Sequence, residues 1–139
     1  MKRTRSDFSF FFPLRVRYAE VDMQGVVFNA HYLTYFDTAI TEFLRSTGYS
    51  YKELFTTSDL DFHLVKATVE YLGPVNFDEQ IEIGVTMARI GTSSATFALG
   101  VYGKGDDECR ATGEIVWVCA KKGTHKSYPI PDDFKVIFE

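Results

Sequence analysis

The sequence has little of what marks several large classes of protein. Its two cysteines, Cys109 and Cys119, are isolated from each other and from any histidine cluster. They suit neither a disulfide framework nor a zinc site, so they read as reduced thiols in a cytoplasmic protein. The three histidines, His31, His63 and His125, are scattered, so neither a metal nor another cofactor is expected. Basic charge is not in excess: 15 Lys and Arg stand against 19 Asp and Glu, a net charge of -4. The overall field therefore favours neither nucleic acid nor an anionic membrane. The basic start at Met1-Lys2-Arg3 precedes an apolar stretch, Phe8 to Leu14, that Ser9 and Pro13 interrupt. That stretch is too short for a span and lacks a small-residue cleavage site, so neither membrane insertion nor a leader is expected.

Large apolar side chains are plentiful. Aromatic residues make up 16% of the chain, with 13 Phe and 8 Tyr, and hydrophobic residues 45%. Such a chain has much to bury, inside a domain or at a subunit contact. A length of 139 residues fits one compact domain covering 1–139.

Hydrophobic spacing divides the chain. Over 10–18, Arg15 and Arg17 alternate with Leu14, Val16 and Tyr18, which predicts a half-buried strand. Residues 20–25 break that pattern and read as a loop. Over 31–45, Tyr32, Tyr35, Phe36, Ala39, Ile40, Phe43 and Leu44 recur at helical spacing and cover a wide arc. Asn29 is the expected N-cap and Gly48 the residue past the C-terminal end. A short second helix is expected over 51–56. Beyond His63 the period changes to two, predicting strands over 65–71, 81–87, 95–102 and 111–120. Pro129 and Pro131 end regular pairing, and 134–138 are expected to dock on the surface. One helix apolar over much of its girth, followed by several strands, predicts an α+β fold with an antiparallel sheet against the helix.

The run from Val16 to Tyr32, VRYAEVDMQGVVFNAHY, continuing to Tyr35, resembles the signature of the 4-hydroxybenzoyl-CoA thioesterase family, including its YbgC-like branch. That signature has a Tyr, an acidic residue, the catalytic Asp, then Gly-Val-Val and an aromatic ahead of the helix. Val69-Glu70-Tyr71 with Pro74, and Arg89-Ile90-Gly91-Thr92-Ser93-Ser94, are similar to later elements of the same family. The resemblance runs from about Leu14 to Trp117. It implies a hotdog fold, in which a curved antiparallel sheet wraps one long central helix, and hydrolysis of an acyl-CoA substrate. It also implies a homo-oligomer, a dimer or a tetramer.

Thioester hydrolysis needs a carboxylate to attack the acyl carbon or to activate water, and a donor for the oxyanion. The resemblance puts the carboxylate at Asp22, as nucleophile or general base, and the donor at the backbone N–H of Asn29. Gly25 lets the loop turn tightly and lets a ligand approach the backbone. Together with Gly25, the residues Val26, Val27, Phe28 and Tyr32 are expected to bind the substrate; Tyr32 reads first as core or interface packing and second as acyl-pocket lining. Thr92 and Ser93 are turn residues expected along the pantetheine channel, and Arg89 is a candidate for the CoA phosphates. Family members often carry an aromatic or His where Asn29 stands, so this chain departs there and the acyl group is left open.

Two other readings stand beside this one. A hotdog hydratase pairs an Asp with a His a few residues on, where this chain has Val27. A non-catalytic acyl-CoA-binding domain on the same fold would not need Asp22. No Gly-x-Ser-x-Gly elbow is present, so Ser93 and Ser94 are not nucleophiles.

Overall fold

The computed structural model describes residues 3–138, so Met1 and Lys2 of the basic start lie outside it. Its first strand, β1, covers Phe10–Arg15. Pro13 is accommodated because β1 is an edge strand, where a missing N–H costs no ladder bond. The strand stops short of Tyr18, against expectation. Val16 turns into the core, and its N–H and C=O are taken by Glu79 O (2.9 Å) and the Asp78 N–H (3.2 Å). Tyr18–Glu20 then closes a single 3-10 turn.

Helix α1 runs His31–Ser46 and buries all seven residues of the predicted arc. Each large side chain taken out of water there contributes on the order of 2 kcal/mol. The helix ends as expected, with Gly48 in the left-handed region (φ +85) and its N–H on Arg45 O. Its start differs. The cap position is Ala30, already helical in φ and ψ, and no side chain caps it, so Asn29 is not the N-cap. The short helix α2, Tyr51–Thr57, is capped by the Ser50 hydroxyl, which accepts from the Glu53 N–H at 3.0 Å.

Four further strands complete one antiparallel sheet: β2 Leu60–Tyr71, β3 Gln80–Ile90, β4 Ser94–Gly103 and β5 Cys109–Lys121. Their order is β1-β3-β4-β5-β2, so β1 and β2 are the edges. Alternation sends Ile81, Ile83, Val85, Phe97, Leu99, Val101 and Ile115 into one core with the buried face of α1. Pairing shifts register at 64/66, 87/89 and 101/102, and such bulges bend and twist a sheet. The fold is α+β and hotdog, a sheet wrapped on a central helix.

The two ends of the chain cover what the sheet leaves. On the outer face Phe8 lies over Gly84 and Gly100, where a Cβ would meet its ring at 2.7 and 2.9 Å. Beside it the Arg5 guanidinium stacks on Phe11 and Tyr102. At the other end, helix α3 (Asp132–Val136) corrects the expectation of surface docking over 134–138. Phe134 is fully buried against Tyr49, Phe62 and Phe138.

Candidate active site

The segment from Glu20 to Phe28 doubles back on itself ahead of α1. The Phe28 N–H donates to Glu20 O (2.9 Å), the Asp22 N–H to Val26 O (3.0 Å) and the Gly25 N–H to Asp22 O (3.0 Å). Gly25 sits at φ +75, a conformation costly for a side-chain-bearing residue, and so makes the reversal possible. The outer limb is stitched to the chain entering β3. The Val27 N–H reaches Val75 O at 2.8 Å, and the Phe77 N–H reaches Gly25 O at 2.8 Å.

At the tip of this turn the Asp22 carboxylate is half-buried, and its Oδ1 accepts from the Gln24 N–H at 2.8 Å. Beside it lies an open hollow of about 540 Å³, lined by Tyr18, Val21, Asp22, Met23, Gly25 and Phe77. Tyr18 and Phe77 meet edge to face there, with ring centroids 6.1 Å apart. Apart from Asp22, the side chains on this wall are apolar or aromatic, a surface suited to a carbon-rich ligand.

Asn29 and Ala30 link the turn to the start of α1 at His31. The His31 N–H donates to Phe28 O and the Tyr32 N–H to Asn29 O. Among the described residues, the Asn29 and Ala30 N–H groups have no protein acceptor. Free N–H groups at a helix start carry positive partial charge and suit a developing anion. The Asn29 carbonyl is held from the sheet side by the Tyr71 hydroxyl at 2.9 Å.

Two acids, Glu20 buried and Glu79 part-buried, fasten this corner. Burial raises the pKa of Glu20, but hydrogen bonds from Arg17 and Tyr35 outweigh it and hold the carboxyl below its usual range. The phenol of Tyr35 is pushed up, first by burial and then by donating to that carboxylate. Glu79 shows the same balance. Burial is opposed by Arg110, whose guanidinium donates to both carboxylate oxygens at 3.1 and 2.9 Å, and the acid is held low. Arg110 also donates to Pro74 O, which fixes the segment that pairs with Gly25 and Val27.

The residues expected from sequence fall into two groups. Asp22, Gly25, Val26, Phe28 and Asn29 come together at the turn and the helix start. Val27 and Tyr32 belong to the same corner but point into the core, both nearly fully buried. Arg89, Thr92 and Ser93 do not join them within one chain. They lie at the far end of β3 and the turn after it, about 30 Å along the strand from Gln80 at roughly 3.3 Å per residue. Thr92 O and Ser93 O there accept from the Ile130 and Cys119 N–H groups. Glu20, Tyr35, Tyr71 and Phe77 were not singled out for the site. Glu20 pairs locally with Arg17 three positions back. The links that tie these four residues to the corner, to Tyr35, Asn29 and Tyr18, span 15 or more positions, and no short-range spacing signals them. Among the described residues no group of three or more His, Cys, Asp or Glu could hold a metal ion. No helix among them is long and apolar enough to cross a membrane.

A long helix wrapped by an antiparallel sheet defines the class of hotdog-fold proteins. The chain belongs to the thioesterase-like superfamily, whose family profile matches residues 16–138. It is 26% identical over 132 residues to the acyl-CoA thioesterase YbgC of Haemophilus influenzae, covering 95% of this chain and 96% of that protein. It is 26% identical over 125 residues to the 1,4-dihydroxy-2-naphthoyl-CoA hydrolase of Thermosynechococcus vestitus, covering 86% and 85%. Among solved structures, Slr0204, a 1,4-dihydroxy-2-naphthoyl-CoA thioesterase from Synechocystis, superposes with a TM-score of 0.87. That likeness covers 93% of this chain and 94% of the other at 19% identity, and speaks for the fold.

Proposed function

We propose that this chain is an acyl-CoA thioesterase that releases a free acid and CoA, with Asp22 as its reactive carboxylate. The observation that carries the reading is the placement of that carboxylate. It sits on a turn tied by backbone bonds to the helix start, facing an open apolar hollow. In the nucleophilic route a carboxylate oxygen of Asp22 attacks the acyl carbon, and the C–S bond breaks with the thiolate leaving. Water then hydrolyses the mixed anhydride and restores the carboxylate. In the general-base route Asp22 takes a proton from the attacking water and passes it to the leaving sulfur. Either way the carbonyl oxygen becomes anionic, and the Asn29 N–H at the start of α1 is its donor.

A second copy completes the site in this reading. Strand β2 is an edge with Leu64 and Val65 exposed, and antiparallel pairing of two such edges would extend the sheet. The twofold axis of that pairing turns the far end of one subunit toward the near end of the other. The partner subunit's Arg89, Thr92 and Ser93 then approach the end of the sheet that carries Asp22, in a dimer or a tetramer built from it. The free thiols of Cys109 and Cys119 support a cytoplasmic setting. The hydratase reading loses support because Val27, at the place of the required His, is buried in the core.

Thiol release from a panel of short, long and aromatic acyl-CoAs tests the assignment. Turnover is expected from the natural protein, and a loss of at least about a hundredfold in kcat from Asp22→Asn with the fold intact. Binding of CoA esters without turnover across the whole panel would make this a binding protein instead.

A further inference from the structure

Glu20 is the only charged side chain among the buried residues described, and nothing in hydrolysis by Asp22 uses it. Its carboxylate is fully engaged. Oε1 accepts from the Arg17 N–H at 2.8 Å and the Tyr35 hydroxyl at 2.9 Å, and Oε2 accepts from Nε and Nη2 of Arg17. A carboxylate so occupied has no lone pair to offer a substrate. Stability alone does not call for it either, since a buried ionic cluster can be exchanged for packed apolar side chains at little or no cost.

Its connections suggest another use. Through its side chain Glu20 grips Tyr35, in the second turn of α1. Through its carbonyl it grips the N–H of Phe28, the residue before Asn29. Asp22 follows Glu20 by two residues in the limb that pairs with 26–28. One residue is thus bonded to the helix body, to the chain entering the helix and, covalently, to the strand bearing the carboxylate. Sliding that strand against α1 would break both grips at once.

The geometry points to Glu20 and Tyr35 as a positioning pair that sets the Asp22 carboxylate against the N–H groups at the start of α1. The inference rests on the reading of Asp22 as the reactive carboxylate. Attack and oxyanion stabilisation each demand placement to a fraction of an ångström, and an error of about 1 Å costs on the order of a hundredfold in rate. A turn whose tip stands in solvent holds that placement only if its base is anchored. Glu20 is the base of this turn, and the buried Tyr35 hydroxyl is what it is anchored to.

Tyr35→Phe is the sharpest test, because it deletes one donor and keeps the ring packed against Tyr32. With an acyl-CoA the natural protein turns over, Tyr35→Phe should lower kcat about tenfold and leave KM within about twofold. Glu20→Gln should lower kcat further. The double variant should be no slower than Glu20→Gln alone, because both substitutions break one linkage. All are assayed below their measured melting temperatures, so that loss of folded protein is not counted as loss of rate. Unchanged kcat in folded Tyr35→Phe and Glu20→Gln overturns the inference, as does a rise in KM at constant kcat. Asp22→Asn run beside them separates the two claims. If it abolishes turnover while the other two do nothing, positioning alone falls; if it retains turnover, both readings fall.

Discussion

The ring of Phe36 lies so close to Gly113 that a Cβ on the glycine would stand 2.7 Å from it. The same Cβ would stand 2.2 Å from Thr68 O on β2, a backbone atom that cannot swing aside. Gly113 is therefore the seat in which α1 rests on β5, and the depth of that seat sets the height of the helix above the sheet. Gly113→Ala should cost about 3 kcal/mol in a denaturant titration, the upper part of the range for overpacking. Gly84→Ala should cost less, although its Cβ also meets a ring at 2.7 Å. There the neighbour is Phe8, on the N-terminal segment, which can lift. Equal losses at the two positions would mean that Phe36 also gives way and that the helix height is not fixed by the glycine.

Gly25 offers a way to separate strain from reach. Its φ of +75 disfavours any Cβ, yet nothing lies within 4 Å of where one would be. Gly25→Ala should therefore lower stability by only about 1–2 kcal/mol, the cost of the left-handed conformation. The turn carrying Asp22 would relax, and kcat for thioester hydrolysis should drop by more than that destabilisation explains in a protein still fully folded. Stopped-flow or steady-state thiol release at a temperature well below the melting point reads the difference. Natural kcat in a destabilised Gly25→Ala protein would show that the turn tolerates distortion.

What the sequence carried into this corner depends on the range of each signal. The arc of α1 was legible to the residue, because helical period is a short-range pattern and all seven arc positions are buried. The carboxylate turn was legible because Asp22, Gly25 and the two valines form a compact string. The start of the helix was misread: Asn29 is a good capping residue, but the chain already turns helically at Ala30. Phe134 was misread because nothing local says that a five-residue helix after two prolines closes over Tyr49 and Phe62. Arg89, Thr92 and Ser93 illustrate the deeper limit. Their string resembles the family's, but that they lie at the end of β3 away from Asp22 is decided by sheet pairing, which is not written in local spacing. Glu20 stood inside the legible string, yet its partner Tyr35 looked like one more core aromatic.

Acid should loosen the corner before it unfolds the rest. Glu20 and Glu79 are both held below the ordinary glutamate value of 4.5 by hydrogen bonds and charge from their arginine partners, which outweigh the opposing effect of burial. A carboxyl with a lowered folded pKa adds stability above its unfolded pKa, and that stability is lost as pH falls through the folded value. Stability should therefore be level above about pH 5 and decline below about pH 4.5. Glu79→Gln should flatten that decline, because one of the two linked protons is removed. Arg110→Ala should do so too, and at neutral pH should cost about 2 kcal/mol by leaving the charged Glu79 short of its donors. Melting temperature against pH for the three proteins reads this, and parallel curves would assign the acid transition to other groups.

The edge of β2 makes the strongest claim about assembly, because it ties oligomeric state to rate. Leu64 and Val65 are more than half exposed on an edge strand of 12 residues, an arrangement that invites pairing with another strand. A lysine at Val65 should block that pairing, because like charges would face across the joint. Val65→Lys should therefore elute as a monomer in size-exclusion chromatography and should lose most of its turnover while staying folded. Mixing gives the more incisive result. Asp22→Asn lacks the carboxylate, and a variant with Thr92→Ala, Ser93→Ala and Arg89→Ala lacks the far-end groups. Refolded together, the two inactive chains should form mixed dimers in which one site has an intact Asp22 facing an intact 89–93 segment. About a quarter of natural activity should return if the chains pair at random and the dimer joins at a twofold axis. Recovery of nothing, with mixed dimers shown by mass spectrometry, would mean that Asp22 and residues 89–93 serve no common site.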